Sequence, residues 1–193
     1  MIGRRLRRDE SGATLVEFAM VAPVLMTLLL ALFDIGYNLY TASVLQGTIQ
    51  KAARDSSIEG ATTASLDDKV AVAVHNIAPS ATMTFARKSY ASFSDIGTPE
   101  DFTDVNGNGT CDKGEPFEDA NKNGSWDDDR GSSGQGGARD AVLYTVHVSY
   151  PRAFPVGGFL GLSNNHEMET STVLRNQPYG PQTVSQPTTG HCS

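Results

Sequence analysis

The chain has only two cysteines, Cys111 and Cys192, among its 193 residues. At most one internal disulfide is therefore available, and their wide separation neither requires nor forbids it. There is also no basic stripe. Apart from Arg4, Arg5, Arg7 and Arg8 at the start, lysine and arginine are scattered, and the net charge is -7, so the sequence offers nothing that would track a nucleic-acid backbone. Catalytic signatures are missing too. No G-x-S-x-G, no Cys/His pairing of known spacing and no phosphate-cradling glycine loop occurs, so no enzyme is indicated. His75, His147, His166 and His191 fall in separate segments without metal-ligand spacing and read as surface residues. No A-x-A-like site closes the apolar N-terminal run, which is also longer than a secretory h-region, so retention in a membrane is expected. A second large core is excluded by length alone.

What the chain does have is that run. Ala13 to Phe33 carries one charge, Glu17, over the ~20 residues needed to cross a bilayer. The arginines lie before it, and no lysine or arginine follows until Lys51. The positive-inside bias then predicts a cytoplasmic N-terminus, a single span and an extracytoplasmic remainder. Apolar positions continue at helical spacing through Leu39, Tyr40, Val44, Leu45, Ile49 and Ala52, so one helix is expected from about Ser11 to about Ser57. Pro23 removes one backbone bond inside it. A shorter helix from about Leu66 to about Ile77 is expected next, stopped by Pro79.

Alternating runs at Thr82 to Ala86, Val142 to Tyr150 and Met168 to Leu174 predict three strands of a small antiparallel sheet laid on the long helix. The expected class is α+β. Between the last two strands, Ala153 to Leu162 is wholly apolar or glycine and proline, fit either to fill a core or to meet a partner or membrane surface.

The acidity is local. Residues 100–130 contain ten acids and three bases, so this one insert accounts for the whole net charge. Within it, Asp104, Asn106, Asn108 and Asp112 stand at positions 1, 3, 5 and 9 of a calcium loop of the EF-hand kind, with Gly109 at 6 and Glu115 at 12. Thr110 would add its carbonyl. A second copy runs through Asp119, Asn121, Asn123, Ser125 and Asp127, but Arg130 occupies its twelfth position, leaving Asp128 or Asp129 as substitutes. Calcium is the expected ligand, and the first loop, which keeps its glutamate, the expected stronger site. Without room for flanking helices, the pair resembles the tandem calcium loops of dockerins and thrombospondin type 3 repeats.

The N-terminal residues carry a further resemblance. Gly12-Ala13-Thr14-Leu15-Val16-Glu17, after a basic leader and before an apolar helix, resembles the cleavage site of type IV prepilins and pseudopilins. With Pro23, Phe33-Asp34-Ile35-Gly36 and the closing Val173-Leu174-Arg175-Asn176-Gln177-Pro178-Tyr179, the chain resembles the TadE-like family of tight-adherence pilus proteins. Gln177 departs from the glutamate expected there, and the calcium insert is not general to the family. The resemblance implies cleavage after Gly12 by a prepilin peptidase and a role for Glu17 as acceptor of a mature N-terminal amine. It also implies partnership with other pilins and assembly machinery, a bacterial inner-membrane location with possible incorporation in a pilus, and no catalysis. The runner-up is a bitopic, calcium-dependent surface adhesin unconnected with a pilus.

The expected division is a leader over 1–12, the membrane helix over 13–36 and its continuation, a short helix and a first strand over 37–99. The calcium insert follows over 100–130, then a flexible linker over 131–140, a sheet hairpin over 141–180 and a tail over 181–193.

Overall fold

The computed structural model describes residues 11–56, 63–154, 158, 161, 163–176 and 186–193. The arginine leader and the closing Gln177-Pro178-Tyr179 lie outside them. Helix α1 runs Ser11–Ser56, through Pro23, and α2 runs Thr63–His75. A continuous 46-residue helix is about 69 Å long. The rest of the chain adds β1 (Thr82–Tyr90), β2 (Pro116–Asp119), β3 (Ser132–Ser133), β4 (Ala141–Pro151), β5 (Asn165–Arg175) and β6 (Thr188–His191). The architecture is α+β, as the periodicities predict.

β4 is the centre of the main sheet, whose order is β3-β1-β4-β5 with antiparallel neighbours throughout. Its register places Phe85 opposite Val146 and Val146 opposite Thr170. Successive side chains of a strand point to opposite faces. Val142, Tyr144, Val146, Val148 and Tyr150 accordingly enter the core, while His147 stays in solvent. Against this face lie Leu45, Ile49 and Ala52 of α1 and Leu66, Val70 and Val74 of α2, all in one buried cluster. The same helix that is apolar on every side before Phe33 is buried on one side only after it.

Polar pins fix the helix on the sheet. The Tyr37 hydroxyl donates to the Ile77 carbonyl at 2.9 Å, and the Tyr150 hydroxyl to Asn38 Oδ1 at 2.8 Å. Arg87 and the Tyr144 hydroxyl both donate to the Asp67 carboxylate, with the guanidinium 4.4 Å above the Tyr144 ring. Burial, then the hydrogen bond to Asp67, pushes the Tyr144 phenol above its ordinary range.

Three expectations change. Residues 131–140 are not simply a flexible return: Ser132–Ser133 pair with β1, and Asn176 Nδ2 donates to the carbonyls of Gln135 and Gly137. The tail contributes β6, which pairs with β2 in a second small sheet. Gly190 makes that approach possible, since a Cβ there would lie 2.4 Å from the Phe117 ring. Finally, His166 is half-buried, its ring 5.5 Å from that of Tyr150. Burial, with the Arg152 charge beside it, lowers its pKa.

Leu45 is fully buried where α1 meets the sheet, whereas Val72 is 61% exposed. Leu45→Ala is expected to cost about 2–5 kcal/mol and Val72→Ala close to nothing, read from denaturant midpoints of the detergent-solubilised chain.

Candidate functional site

Two regions concentrate the functional candidates: the N-terminal half of α1 and the acidic insert. Gly12, Ala13 and Glu17 are helical and exposed, and nothing lies within 4 Å of a Cβ built on Gly12. Leu15, Phe18, Met20, Val24, Leu28 and Leu32 are likewise exposed, each by more than 60%. Thr27 Oγ1 donates to the Pro23 carbonyl at 2.8 Å, folding its hydroxyl back onto the backbone. This half of the helix is long and apolar enough to cross a membrane, and none of its most apolar window is buried within the chain. In water so large an apolar surface would be strongly unfavourable.

At the end of the apolar run, Asp34 is buried. Arg152 Nη1 donates to its Oδ2 at 2.6 Å, while Oδ1 accepts no hydrogen bond among the described residues. The ring of Phe154 lies 6.1 Å from that of Phe33.

In the insert, both copies of the loop adopt one backbone. At the sixth position Gly109 and Gly124 have φ of 79° and 81°, a region glycine enters without strain. At the fourth, Gly107 and Lys122 are also left-handed, at 76° and 61°. Asp104 accepts from the amides of Gly107, Asn108 and Gly109, and Asp119 from those of Asn123 and Gly124. The Gly109 amide, followed by those of Gly107 and Asn108, holds the Asp104 carboxyl below its ordinary value. Asn106 and Asn108 each turn a side-chain amide toward Asp112 Oδ2, at 2.7 and 2.6 Å. Asn121 and Asn123 treat Asp127 in the same way.

The loops differ in where the closing glutamate comes from. Glu115 Oε1 accepts from the Val105 amide at 2.8 Å and Oε2 from the Asp112 amide at 2.9 Å. In the second loop the equivalent amides, of Ala120 and Asp127, donate to Glu100 Oε1 and Oε2 at 2.8 and 3.1 Å. Glu100 precedes both loops, yet stands where a twelfth-position residue would. The main chain agrees: the Glu115 amide donates to the Asp112 carbonyl and the Glu100 amide to the Asp127 carbonyl. Thr103 and Glu118 complete the symmetry by donating to the carbonyls of Pro116 and Asp101, around a bridge between Phe102 and Phe117.

Neither expected substitute serves the second loop in this way. Asp129 instead accepts from Lys88 Nζ at 2.7 Å and from the Tyr90 hydroxyl at 3.1 Å, and Arg130 reaches Asp101 and the Pro99 carbonyl. No such contact is made by Asp128, which is exposed. A sequence signal for Glu100 exists: Glu100, Phe102 and Asp104 precede Glu115, Phe117 and Asp119 at one constant spacing.

Thr110 and Ser125 stand at the seventh position of their loops. Among the described residues, no three His, Cys, Asp or Glu side chains are gathered as a metal-holding group. The loops instead gather carboxamide side chains around the Asp112 and Asp127 carboxylates.

Comparison with known proteins bears on the helix. Residues 12–54 match the family described as TadE-like protein. No curated protein and no solved structure matches the chain. The match covers nearly all of α1 and neither the sheet nor the insert. The stretch similar to TadE-like proteins is thus the one that carries the exposed apolar surface of α1.

Cys111, at the eighth position of the first loop, is joined to Cys192 by a disulfide across 81 residues of sequence. The Cys192 amide donates to the Glu115 carbonyl, and the Gly114 amide to the Cys192 carbonyl. The tail is thus fastened beside the residue that closes the first loop. A double Cys111→Ser/Cys192→Ser variant is expected to lose about 4 kcal/mol on the chain-entropy account of so long a loop. Hydrogen exchange should quicken in β6 and β2 first, while β4 keeps its protection; non-reducing peptide mapping checks the bond itself.

Proposed function

We propose that the protein is a non-catalytic minor pilin or pseudopilin, held in the bacterial inner membrane by α1 and contributing to the assembly or priming of an adhesive tight-adherence pilus. The observation that carries this reading is the unburied apolar half of α1, bearing Gly12 and Glu17 within the stretch that matches the TadE-like family. A helix apolar on every side can be satisfied by lipid and, after assembly, by the helices of neighbouring pilins.

In this reading a prepilin peptidase cuts between Gly12 and Ala13. The freed amine of one subunit then pairs with Glu17 of another. Both charges are costly alone in hydrocarbon and neutral together. Single-pass topology with the N-terminus in the cytoplasm follows from the arginine leader.

Intact-mass measurement of membrane-extracted protein is expected to give a chain beginning at Ala13. A bulky replacement of Gly12 should block the cut, and Glu17→Ala should impair assembly without unfolding the sheet. A chain that keeps the leader in cells making the peptidase counts against the pilin reading and favours the bitopic adhesin.

The insert is read as two calcium loops. Their support is the pair of buried carboxylates, Glu100 and Glu115, which are 1% and 6% exposed and each span the second and ninth amides of a loop. No ion pair involves either among the described residues, and a buried charge without a counter-charge is expensive. Calcium would supply that counter-charge to oxygens of Asp104, Asn106, Asn108, Thr110, Asp112 and Glu115 in the first loop. In the second, the ligands would come from Asp119, Asn121, Asn123, Ser125, Asp127 and Glu100.

Because both loops possess a closing glutamate, two sites of comparable strength are expected, in the extracellular range of roughly 10⁻⁴–10⁻³ M. Calorimetric titration of chelator-stripped protein should give a stoichiometry near two, reduced to one by either Glu100→Gln or Glu115→Gln. An absence of heat at millimolar calcium would leave the insert as an acidic ornament of the fold. A second site that survives Glu100→Gln would return Asp128 to consideration.

A further inference from the structure

The two loops of the insert part company at their eighth positions, Cys111 and Trp126. Trp126 stays within the insert: its ring lies 5.8 Å from that of Phe102, and its Nε1 donates to the Glu100 carbonyl. Cys111 reaches out of it, to Cys192.

The tail does more than accept that bond. β2 begins one residue after Glu115, which closes the first loop, and ends on Asp119, which opens the second. One edge of β2 meets residues 101–103, through the Thr103 amide to the Pro116 carbonyl and the Glu118 amide to the Asp101 carbonyl. The other edge meets β6, with Phe117 opposite Gly190 and Asp119 opposite Thr188. Cys192 prolongs that ladder, its amide donating to the Glu115 carbonyl and its carbonyl accepting from the Gly114 amide. At the far end the Thr188 hydroxyl donates to Asp119 Oδ2 at 3.4 Å. β6 therefore runs from the last residue of the first loop to the first residue of the second. Phe117 and Cys192 are both buried, so the junction is dry. Loosening β6 frees the backbone that carries Glu115.

We propose that β6 is a strap coupled to calcium: ion binding in the first loop and the seating of the tail strand each strengthen the other, with the Cys111–Cys192 bond as the fastening. This inference rests on the calcium reading of the insert and adds a means of regulating it. Ion binding must order a glycine-rich loop of like charges, and a tail that already holds Glu115 in place meets part of that cost beforehand. The coupling is reciprocal, so whatever the seated tail adds to calcium affinity, calcium adds to the seating of the tail. The second loop shares only the Thr188–Asp119 contact with β6 and is coupled less.

The full chain in detergent is stripped with chelator and titrated with calcium chloride, in a Glu100→Gln background to read the first loop and in a Glu115→Gln background to read the second. Adding Cys111→Ser/Cys192→Ser is expected to weaken the first site about tenfold and the second by less than about threefold. Gly190→Ala keeps both thiols but sets a methyl group against the Phe117 ring, and should weaken the first site in the same direction. In the wild type, saturating calcium should slow hydrogen exchange in β6 about tenfold. It should likewise slow the reaction in which dithiothreitol gives two electrons and two protons to the Cys111–Cys192 bond and closes to its own cyclic disulfide. These wild-type measurements need no substitution, and they decide the matter where a variant loses the protection of β4 and with it the fold. Two calcium sites with β6 exchange and bond reduction unmoved by calcium overturn the proposal and leave the calcium reading. A first site as strong without the bond as with it, in a chain whose β4 stays protected, overturns it too, as does equal weakening of both sites. No calcium heat in the wild type removes the calcium reading itself.

Discussion

One helix in two solvents is the constraint on which the rest of the molecule depends. α1 leaves its apolar side chains exposed all round up to Phe33, as lipid would accept, and from Asp34 onward buries one side against the sheet while Ile35, Leu39 and Tyr40 stay exposed on the other. The change occurs over about two turns. There the chain places Asp34, Tyr37, Asn38 and Thr41, whose polar groups tie to Arg152, to the Ile77 carbonyl, to Tyr150 and to the helix backbone. Thr41 is satisfied by its own helix, as Thr27 is, but Asp34, Tyr37 and Asn38 find partners in the domain and so fix where the helix joins it. Leu45, Ile49 and Ala52 can then be spaced for the sheet alone.

Much of this was legible because periodicity reports burial. The strict alternation of Val142, Tyr144, Val146, Val148 and Tyr150 marks a strand with one dry face, and the structure puts those side chains in the core. The long helix is legible for the same reason, and its described part, Ser11–Ser56, lies within the expected range. The short strands were not visible. Ser132–Ser133 and Thr188–His191 carry no apolar rhythm, and their places are set by partners distant in sequence: β1 for the first, β2 and the Cys111–Cys192 bridge for the second. A disulfide between two lone cysteines was permitted by composition but could be decided only by the fold that brings them together.

The insert shows why a contiguous motif can mislead. Read as twelve consecutive positions, the second loop lacks its last ligand and Arg130 looks like a defect. Read as a repeat, the unit begins with glutamate rather than ending with it, so two units share three boundaries and the first glutamate is left over. The Phe102–Phe117 bridge folds the pair back to back and delivers that leftover carboxylate to the open end of the second loop. The arrangement is closed. Each loop takes its glutamate from the start of a repeat, Glu115 contiguous with the first loop and Glu100 brought to the second from a distance.

Closure of this kind has a mechanical consequence for the ectodomain. Ordering a glycine-rich segment is entropically costly, and the insert carries glycines at both sixth positions as well as at Gly107 and Gly114. The cost is offset where the segment is fastened. Lys88 and Tyr90 hold Asp129 at one end, Trp126 Nε1 donates to the Glu100 carbonyl inside, and the tail is bonded through Cys192 at the other. Burial, and then the hydrogen bond to Asp129, pushes the Tyr90 phenol up to about 12, so it remains a donor throughout the physiological range. The insert is therefore an appendage tied to β1 at one end and to the chain terminus at the other. It projects from the end of the sheet where β1 finishes, while the Asp34–Arg152 pair lies at the end where β4 finishes. The antiparallel register of β1 and β4 sets these ends apart, with Tyr90 opposite Ala141 and Thr82 opposite Ser149. The Asp34–Arg152 pair and the acidic insert thus occupy opposite ends of one sheet, so the insert is built at the end away from the point where the apolar half of α1 joins the domain.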